Sequence, residues 1–180
     1  MVALRKANAY TRRYARPYTR KSSVRSKAYI KTVPPQKVVK FNMGNYHAYM
    51  DGKYKYFIRV VSLQNVQMRD NALEAARQAV NKFLDVKFLG NYYFGVKVFP
   101  HHMLRENKMY SGGSKGERVN TGMQLSFGKT IGRAALVPAG KEIFIVALDS
   151  EKAMRDTKVF LHKMKSKLPC TSRVIVEIKK

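Results

Sequence analysis

No acidic residue precedes Asp51 in this 180-residue chain. Before it, Arg5, Lys6, Arg12, Arg13, Arg16, Arg20, Lys21, Arg25, Lys27, Lys31, Lys37 and Lys40 stand unopposed, with Tyr10, Tyr14, Tyr18 and Tyr29 threaded among them. A segment of one charge sign cannot neutralise itself. Drawn into a compact state its cations would repel one another, so it should order against a polyanion that supplies many negative groups. Nucleic acid fits: guanidinium groups chelate phosphate oxygens in pairs, and Tyr rings offer flat surfaces for stacking on bases or sugars. Residues 1–44 show no helical or strand period and are punctuated by Pro17, Pro34 and Pro35. That predicts an extended basic arm, followed by a globular domain over 45–180.

The excess of charge runs through the rest of the chain, with 36 Lys+Arg against 11 Asp+Glu and a formal charge of +25. Such a balance is typical of nucleic-acid binding. Hydrophobic residues make up 45% of the chain, too many for a wholly disordered tail and enough for one modest core. Cys170 is the single cysteine, which excludes an intramolecular disulfide and a multi-cysteine zinc site and fits a reducing compartment. It reads as a small buried residue. The start, Met1-Val2-Ala3-Leu4-Arg5-Lys6, lacks the apolar stretch of a secretory signal, and no later apolar run reaches the ~20 residues that span a bilayer. Residues 1–30 share the Arg- and Ser-rich, acid-poor composition of a mitochondrial transit peptide, but the prolines argue against a long amphipathic helix. The expectation is a cytoplasmic protein with no membrane partner.

From Lys53 the pattern changes. Tyr54, Tyr56, Ile58 and Val60 fall on one side of an alternating segment, with Lys53, Lys55, Phe57 and Arg59 on the other, which predicts a half-buried strand. A helix follows, with Asn71 as its cap and Glu74 reaching back to the first turn, Leu73, Ala76, Val80, Phe83 and Leu84 as its apolar stripe, and Gly90 as its left-handed terminator. A second strand is expected over 92–99, bounded by Pro100, and then period is lost through the glycine-rich basic stretch Ser111, Gly112, Gly113, Ser114, Lys115, Gly116. Residues 133–137 and 142–148, joined by Pro138-Ala139-Gly140, read as a hairpin. A second helix is capped by Asp149 or Ser150, buries Met154, Thr157, Phe160, Leu161, Met164 and Leu168, and ends at Pro169. A final strand over 173–178 buries Val174, Val176 and Ile178. The order β-α-β-loop-β-β-α-β predicts an α+β layered domain, two helices on a mixed or antiparallel sheet.

Three patterns invite a chemical reading. Gly122 to Thr130 looks like a phosphate-binding loop, but five residues separate its glycines where four are needed, and a strand follows Lys129-Thr130 where the motif needs a helix. Gly113-Ser114-Lys115-Gly116 has the GxxG form with which KH domains clamp a nucleic-acid backbone, without the flanking helices of that family. It leaves one alternative open, a free RNA-binding regulator or assembly factor using this loop. His101 and His102 are adjacent and, if extended, point to opposite sides, so they cannot share a metal ion. Asp149, Glu151 and Asp156 are the carboxylates to consider for acid–base work, yet a helix cap and the four-residue Glu151/Arg155 spacing explain the first two structurally. No catalytic constellation stands out, and neither an enzyme nor a cofactor is expected.

Several strings together resemble one family, the L-sixteen (L-ten-e) large-subunit ribosomal proteins. They are Pro17-Tyr18-Thr19-Arg20, Phe41-Asn42-Met43-Gly44, Leu73-Glu74-Ala75-Ala76-Arg77 and, most specifically, the run from Phe99-Pro100-His101-His102 to Lys108. Gly122-Met123, Phe127-Gly128-Lys129 and Ala135-x-Val137-x-Ala139-Gly140 continue the likeness, which extends from about Tyr14 to Lys179 and has an archaeal flavour. The resemblance implies a two-layer α/β sandwich on large-subunit rRNA, near 5S rRNA, the aminoacyl-site tRNA and other large-subunit proteins. It implies a part in tRNA accommodation and peptide-bond formation. Beside the arm cations and Tyr18, the basic residues in or next to the matching motifs, Arg105, Lys108, Lys129 and Arg133, are the expected rRNA contacts. The stretch at about 108–123 matches the family's mobile loop toward the peptidyl transferase centre, so Ser111 to Gly116 and Arg118 are expected to lie near tRNA. Two departures stand out: this loop is one residue longer, with Lys115-Gly116-Glu117-Arg118 where the family more often has Gly-Ala-Asp-Arg, and Gln124 replaces a usual arginine.

Overall fold

The computed structural model describes Val24, residues 30–106 and residues 129–179, with Glu106 and Lys129 described only as strand positions. Strand β1 (Asn42–Gly44) leads into the short helix α1 (Tyr46–Met50). Then come β2 (Tyr56–Ser62), β3 (Val66–Arg69), the long helix α2 (Asp70–Phe88) and β4 (Tyr92–Val96). The remainder comprises β5 (His102–Glu106), β6 (Lys129–Val137), β7 (Glu142–Leu148), α3 (Glu151–Met164) with a following 3-10 turn (Lys165–Lys167), and β8 (Ser172–Ile178). The strands form a five-stranded sheet in the order β1-β4-β7-β2-β8 and a three-stranded sheet in the order β3-β6-β5, with antiparallel pairing throughout. The fold is a mixed α/β fold.

Period-two alternation sorts the larger sheet into two faces. Ile58, Val60, Phe94, Val146 and Leu148 meet Leu73, Ala76, Val80 and Leu84 of α2 and Leu161 and Met164 of α3 in the main core. A bulge in β7, opposite Val60 and Val61, turns both Ile143 and Phe144 into that core. Phe83 and Phe160 lock the two helices together, ring centroids 4.1 Å apart and nearly parallel at 6°. On the other face, Phe57, Tyr93, Ile145 and Ala147 form a smaller cluster with Tyr54 and with Ala48 and Tyr49 of α1. Helix α1 is started by Asn45, whose side chain accepts from the Ala48 N–H at 3.0 Å.

The helix stripes lie where the spacing predicts, and Gly90 terminates α2 at φ +77°. Four expectations are corrected. First, Asn71 does not cap α2: β3 runs directly into the helix, Asp70 already lies within it, and the Asp70 carboxylate takes the Asn71 N–H at 2.9 Å. Glu74 is turned sideways to Arg77 and Gln78 and does not reach back to the first turn. Second, β6 and β7 are not a hairpin. β6 pairs with β3 and β5 while β7 pairs with β2 and β4, so the Pro138-Ala139-Gly140 turn crosses between sheets. It is bound to the other crossing, from β2 to β3, by Gly140 N–H to Ser62 O at 2.8 Å and Ala139 N–H to the Asn65 side chain at 2.8 Å. Third, on the edge strand β8 Ile178 is 64% exposed and Val174 and Val176 are half-buried against the core. Fourth, the predicted order lacks β1, α1, β3 and β5.

Folded packing also reaches back into the segment that the sequence assigns to the arm. Ile30 and Val38 are buried and Met43 joins the main core from β1. Gly44 makes this edge possible: its φ is +76°, and a Cβ there would stand 2.2 Å from the Tyr92 carbonyl oxygen.

Candidate nucleic-acid interface

Of the cations expected to touch RNA, Lys31, Lys37 and Lys40 lie on the extended stretch 30–41, and all three are exposed while Ile30, Pro34 and Val38 of the same stretch are buried. Hydrogen bonds donated by side chains of β6 hold the stretch in place. The Thr130 hydroxyl donates to Thr32 O at 2.8 Å, and Arg133 donates through Nε to Pro34 O at 2.8 Å and through Nη1 to the Gln36 side chain at 3.3 Å. Both come from β6, where the register shift opposite Leu104 and Arg105 leaves Ile131 unmatched and brings Thr130 onto the same face as Arg133. Arg133, expected as an rRNA contact, thus uses two of its donors to seat the basic segment. Arg105 is half-buried and pairs in register with Thr130.

From the other side the first turns of α2 hold the same segment. The Lys37 N–H donates to Asp70 at 3.3 Å, the Val39 N–H to Glu74, and Arg77 Nη1 reaches Met43 Sδ at 3.2 Å. Glu74 and Arg77 form a buried pair at 2.8 Å and 2.5 Å. The Arg77 hydrogen bond holds the Glu74 carboxyl below its usual range against the opposing effect of burial, and it raises the guanidinium. Asp70 is shifted the other way: burial raises its carboxyl and outweighs the N–H groups it accepts from. The string Leu73-Glu74-Ala75-Ala76-Arg77 is therefore a clamp on the basic segment as well as a core stripe.

Carboxylates elsewhere are also engaged within the domain. Arg59 is held by Glu142 at 2.7 Å and Glu177 at 2.8 Å, Arg155 by Glu151 at 2.5 Å, Lys87 by Asp156 at 3.3 Å and Lys53 by Asp51 at 3.5 Å. Asp85 receives the Tyr92 hydroxyl. Of the three acids considered for acid–base work, Glu151 and Asp156 are thereby accounted for as ion-pair partners, whereas Asp149 is exposed and the cap position of α3 falls to Ser150. Sequence reasoning passed over the cations along the second half of α3 and its continuation, Lys158, Lys163, Lys165 and Lys167, which follow Asp156 with no acid before Glu177. It also passed over exposed Lys97. Neither group lies in a recognisable motif, although the charge run itself was visible.

His101 is exposed and His102 buried, so the two side chains do face opposite ways, and burial lowers the imidazole of His102. Cys170 is half-buried against the main core, which pushes its thiol up. Lys129 and Thr130 begin a strand, as the sequence predicts for the near-miss phosphate loop. Among the described residues, no group of three or more His, Cys, Asp or Glu could hold a metal ion, and no helix is long and apolar enough to cross a membrane. The arm residues Arg5, Lys6, Arg12, Arg13, Arg16, Tyr18, Arg20, Lys21, Arg25 and Lys27 lie outside the described residues, as do Lys108 and the loop residues Ser111 to Gly116 and Arg118.

Comparison with known proteins converges on one family. The profile of ribosomal protein L16p/L10e matches residues 15–175. The large ribosomal subunit protein uL16 of Thermofilum pendens is 41% identical over 177 residues, covering 98% of both chains. The protein of the same name from Hyperthermus butylicus is 42% identical, covering 94% of this chain and 91% of its own. That of Methanococcus maripaludis is 37% identical, covering 97% and 95%. The seating of an acid-free segment on a domain whose described carboxylates, Asp149 apart, are engaged internally, and these full-length likenesses to archaeal proteins, lead to one conclusion: the chain belongs to the L16p/L10e family of ribosomal proteins.

Proposed function

We propose that this chain binds large-subunit rRNA close to 5S rRNA and to the aminoacyl-site tRNA, alongside other large-subunit proteins, and supports tRNA accommodation and peptide-bond formation in the cytoplasm. Family membership makes it a structural ribosomal component and not an enzyme. The observation that carries the finer reading is the seated stretch 30–41. Its backbone is bound to β6 and to α2 while Lys31, Lys37 and Lys40 face outward, so the chain's acid-free portion meets the domain at a fixed place. An arm rooted in this way anchors through phosphate contacts, each releasing counterions; such contacts position a protein without reading sequence. Selectivity for one site then comes from fit to folded RNA, the arm, the domain and the loop at about 108–123 each meeting a different surface. Lys115 and Arg118 are the loop residues assigned to the tRNA side.

Sedimentation of a cell extract at physiological salt tests the ribosomal role. The protein should travel with the large subunit, and recovery in light, ribosome-free fractions would favour a free regulator using the GxxG loop. Shortening residues 111–116 should leave incorporation intact and slow aminoacyl-tRNA accommodation in single-turnover assays. An unchanged rate would remove the tRNA-proximal part of the reading.

A further inference from the structure

The segments flanking β1 and β4 bring three rings together at the surface. Phe41 and Phe99 are stacked with centroids 5.2 Å apart and planes 23° apart, and His101 lies over Phe99 at 4.4 Å. The arrangement is built. The Val96 N–H donates to Phe41 O at 2.8 Å, tying the two segments side by side. The His101 N–H donates to Phe99 O at 3.0 Å, closing a three-residue turn about Pro100, whose ring favours the φ that turn requires. Alternation then exposes Lys97, Phe99 and His101 while Val98, Pro100 and His102 are buried. Phe99 is 39% exposed, between half-buried Phe41 and exposed His101. Exposed Lys40 adjoins Phe41, and exposed Lys97 stands two residues before Phe99.

We propose that the three-ring stack, with half-buried Phe41 innermost, Phe99 between and exposed His101 outermost, is a stacking platform for an unpaired RNA base, with Lys40 and Lys97 taking the adjoining phosphates. The inference rests on the RNA-binding reading above and adds a base contact to it. Aromatic faces accept any base, so the platform holds a nucleotide in place without specifying its identity. The positive flanks favour RNA over an apolar segment of a protein partner. Fixed rings also spare the entropy of ordering a side chain on binding.

Large subunits carrying Phe99→Leu, which keeps apolar bulk and removes the ring, provide the test by 2′-hydroxyl acylation of the rRNA. The variant should be present at wild-type occupancy while one unpaired nucleotide, or two neighbours, gain reactivity, and Phe99→Tyr should restore the wild-type pattern. An unchanged pattern at normal occupancy overturns the platform and leaves the ribosomal role standing, whereas absence of the wild-type protein from subunits overturns that role itself. If Phe99→Leu fails to fold, Lys40→Ser with Lys97→Ser alters only exposed side chains. At roughly 0.7 per phosphate on a single strand, the double variant should flatten the log–log salt dependence of rRNA binding by about 1.4. No change in slope overturns the proposal.

Discussion

The stretch 30–41 and the end of α3 are both rich in lysine, and they hold it in different ways. Along 30–41, Lys31, Lys37 and Lys40 alternate with buried residues on a backbone bound to β6 on one side and to Asp70 and Glu74 on the other. On α3, Lys158 stands in mid-helix, and Lys163, Lys165 and Lys167 project from its last turn and the 3-10 continuation, where cations are favoured by the unpaired carbonyls of the helix C-terminus whatever else they meet. Charge alone does not separate an interface from a solvated face. Fixed placement does, and in the first region acidic residues supply it from beneath.

Breaking the clamp should have the largest effect. Glu74→Ala leaves the Arg77 guanidinium buried without its carboxylate and releases the Val39 N–H, so about 3 kcal/mol of stability should be lost in urea unfolding. Glu74→Met with Arg77→Met should recover most of it, because the cost belongs to the orphaned charge. If the double variant is as unstable as the single one, the clamp acts through packing and the electrostatic account fails. The pH dependence has a definite sign. The lowered Glu74 carboxyl contributes stability above its ordinary 4.5 that is lost as pH falls through its folded value, a loss absent from Glu74→Gln. Asp70, raised by burial, opposes this: its contribution is present below its ordinary 3.8 and lost as pH rises through the folded value, so Asp70→Asn should steepen the net acid loss.

Next in size is Gly44→Ala. The positive φ and the 2.2 Å approach of the new Cβ to Tyr92 O should cost about 2 kcal/mol and loosen β1 against β4. Hydrogen exchange at Asn45, whose N–H donates to the same carbonyl, should accelerate more than exchange in β2. Uniform acceleration across the domain would mean that β1 is not a separable edge.

What the sequence disclosed follows from range. Leu73, Ala76, Val80 and Leu84 declared α2 through periodicity, and the alternation about Ile58 declared β2, because those signals are local. The Pro138-Ala139-Gly140 turn misled for the same reason: a turn records that the chain reverses, whereas the partners of β6 and β7, and the Ser62 and Asn65 groups that hold the turn, lie far away in sequence. β1 and β3 are three and four residues long and fall below any periodic signal. For the interface, exposed Lys31, Lys37 and Lys40 were legible as charge. The seating role of Arg133 was not, since Pro34 and Gln36 lie about a hundred residues before it, and Glu74 was assigned to its own helix terminus because no local pattern shows a carboxylate receiving the N–H of Val39.

The smallest effect on stability should come from the lysines themselves, and it separates the two regions most directly. Lys31→Ser, Lys37→Ser and Lys40→Ser in one chain remove only exposed charge and should change unfolding free energy by less than about 0.5 kcal/mol. The same count of changes on α3 and its continuation, Lys158→Ser, Lys163→Ser and Lys167→Ser, should also leave the fold near wild type. Binding to large-subunit rRNA across a salt series should then divide them. The first set loses three placed phosphate contacts, which flattens the log–log slope by about 2, whereas the second shifts it by less than one contact, about 0.7. Equal losses would show that rRNA responds to total charge and that the clamp of Asp70, Glu74 and Arg133 serves folding alone. A steeper response at the helix end would move the principal contact of the domain to α3.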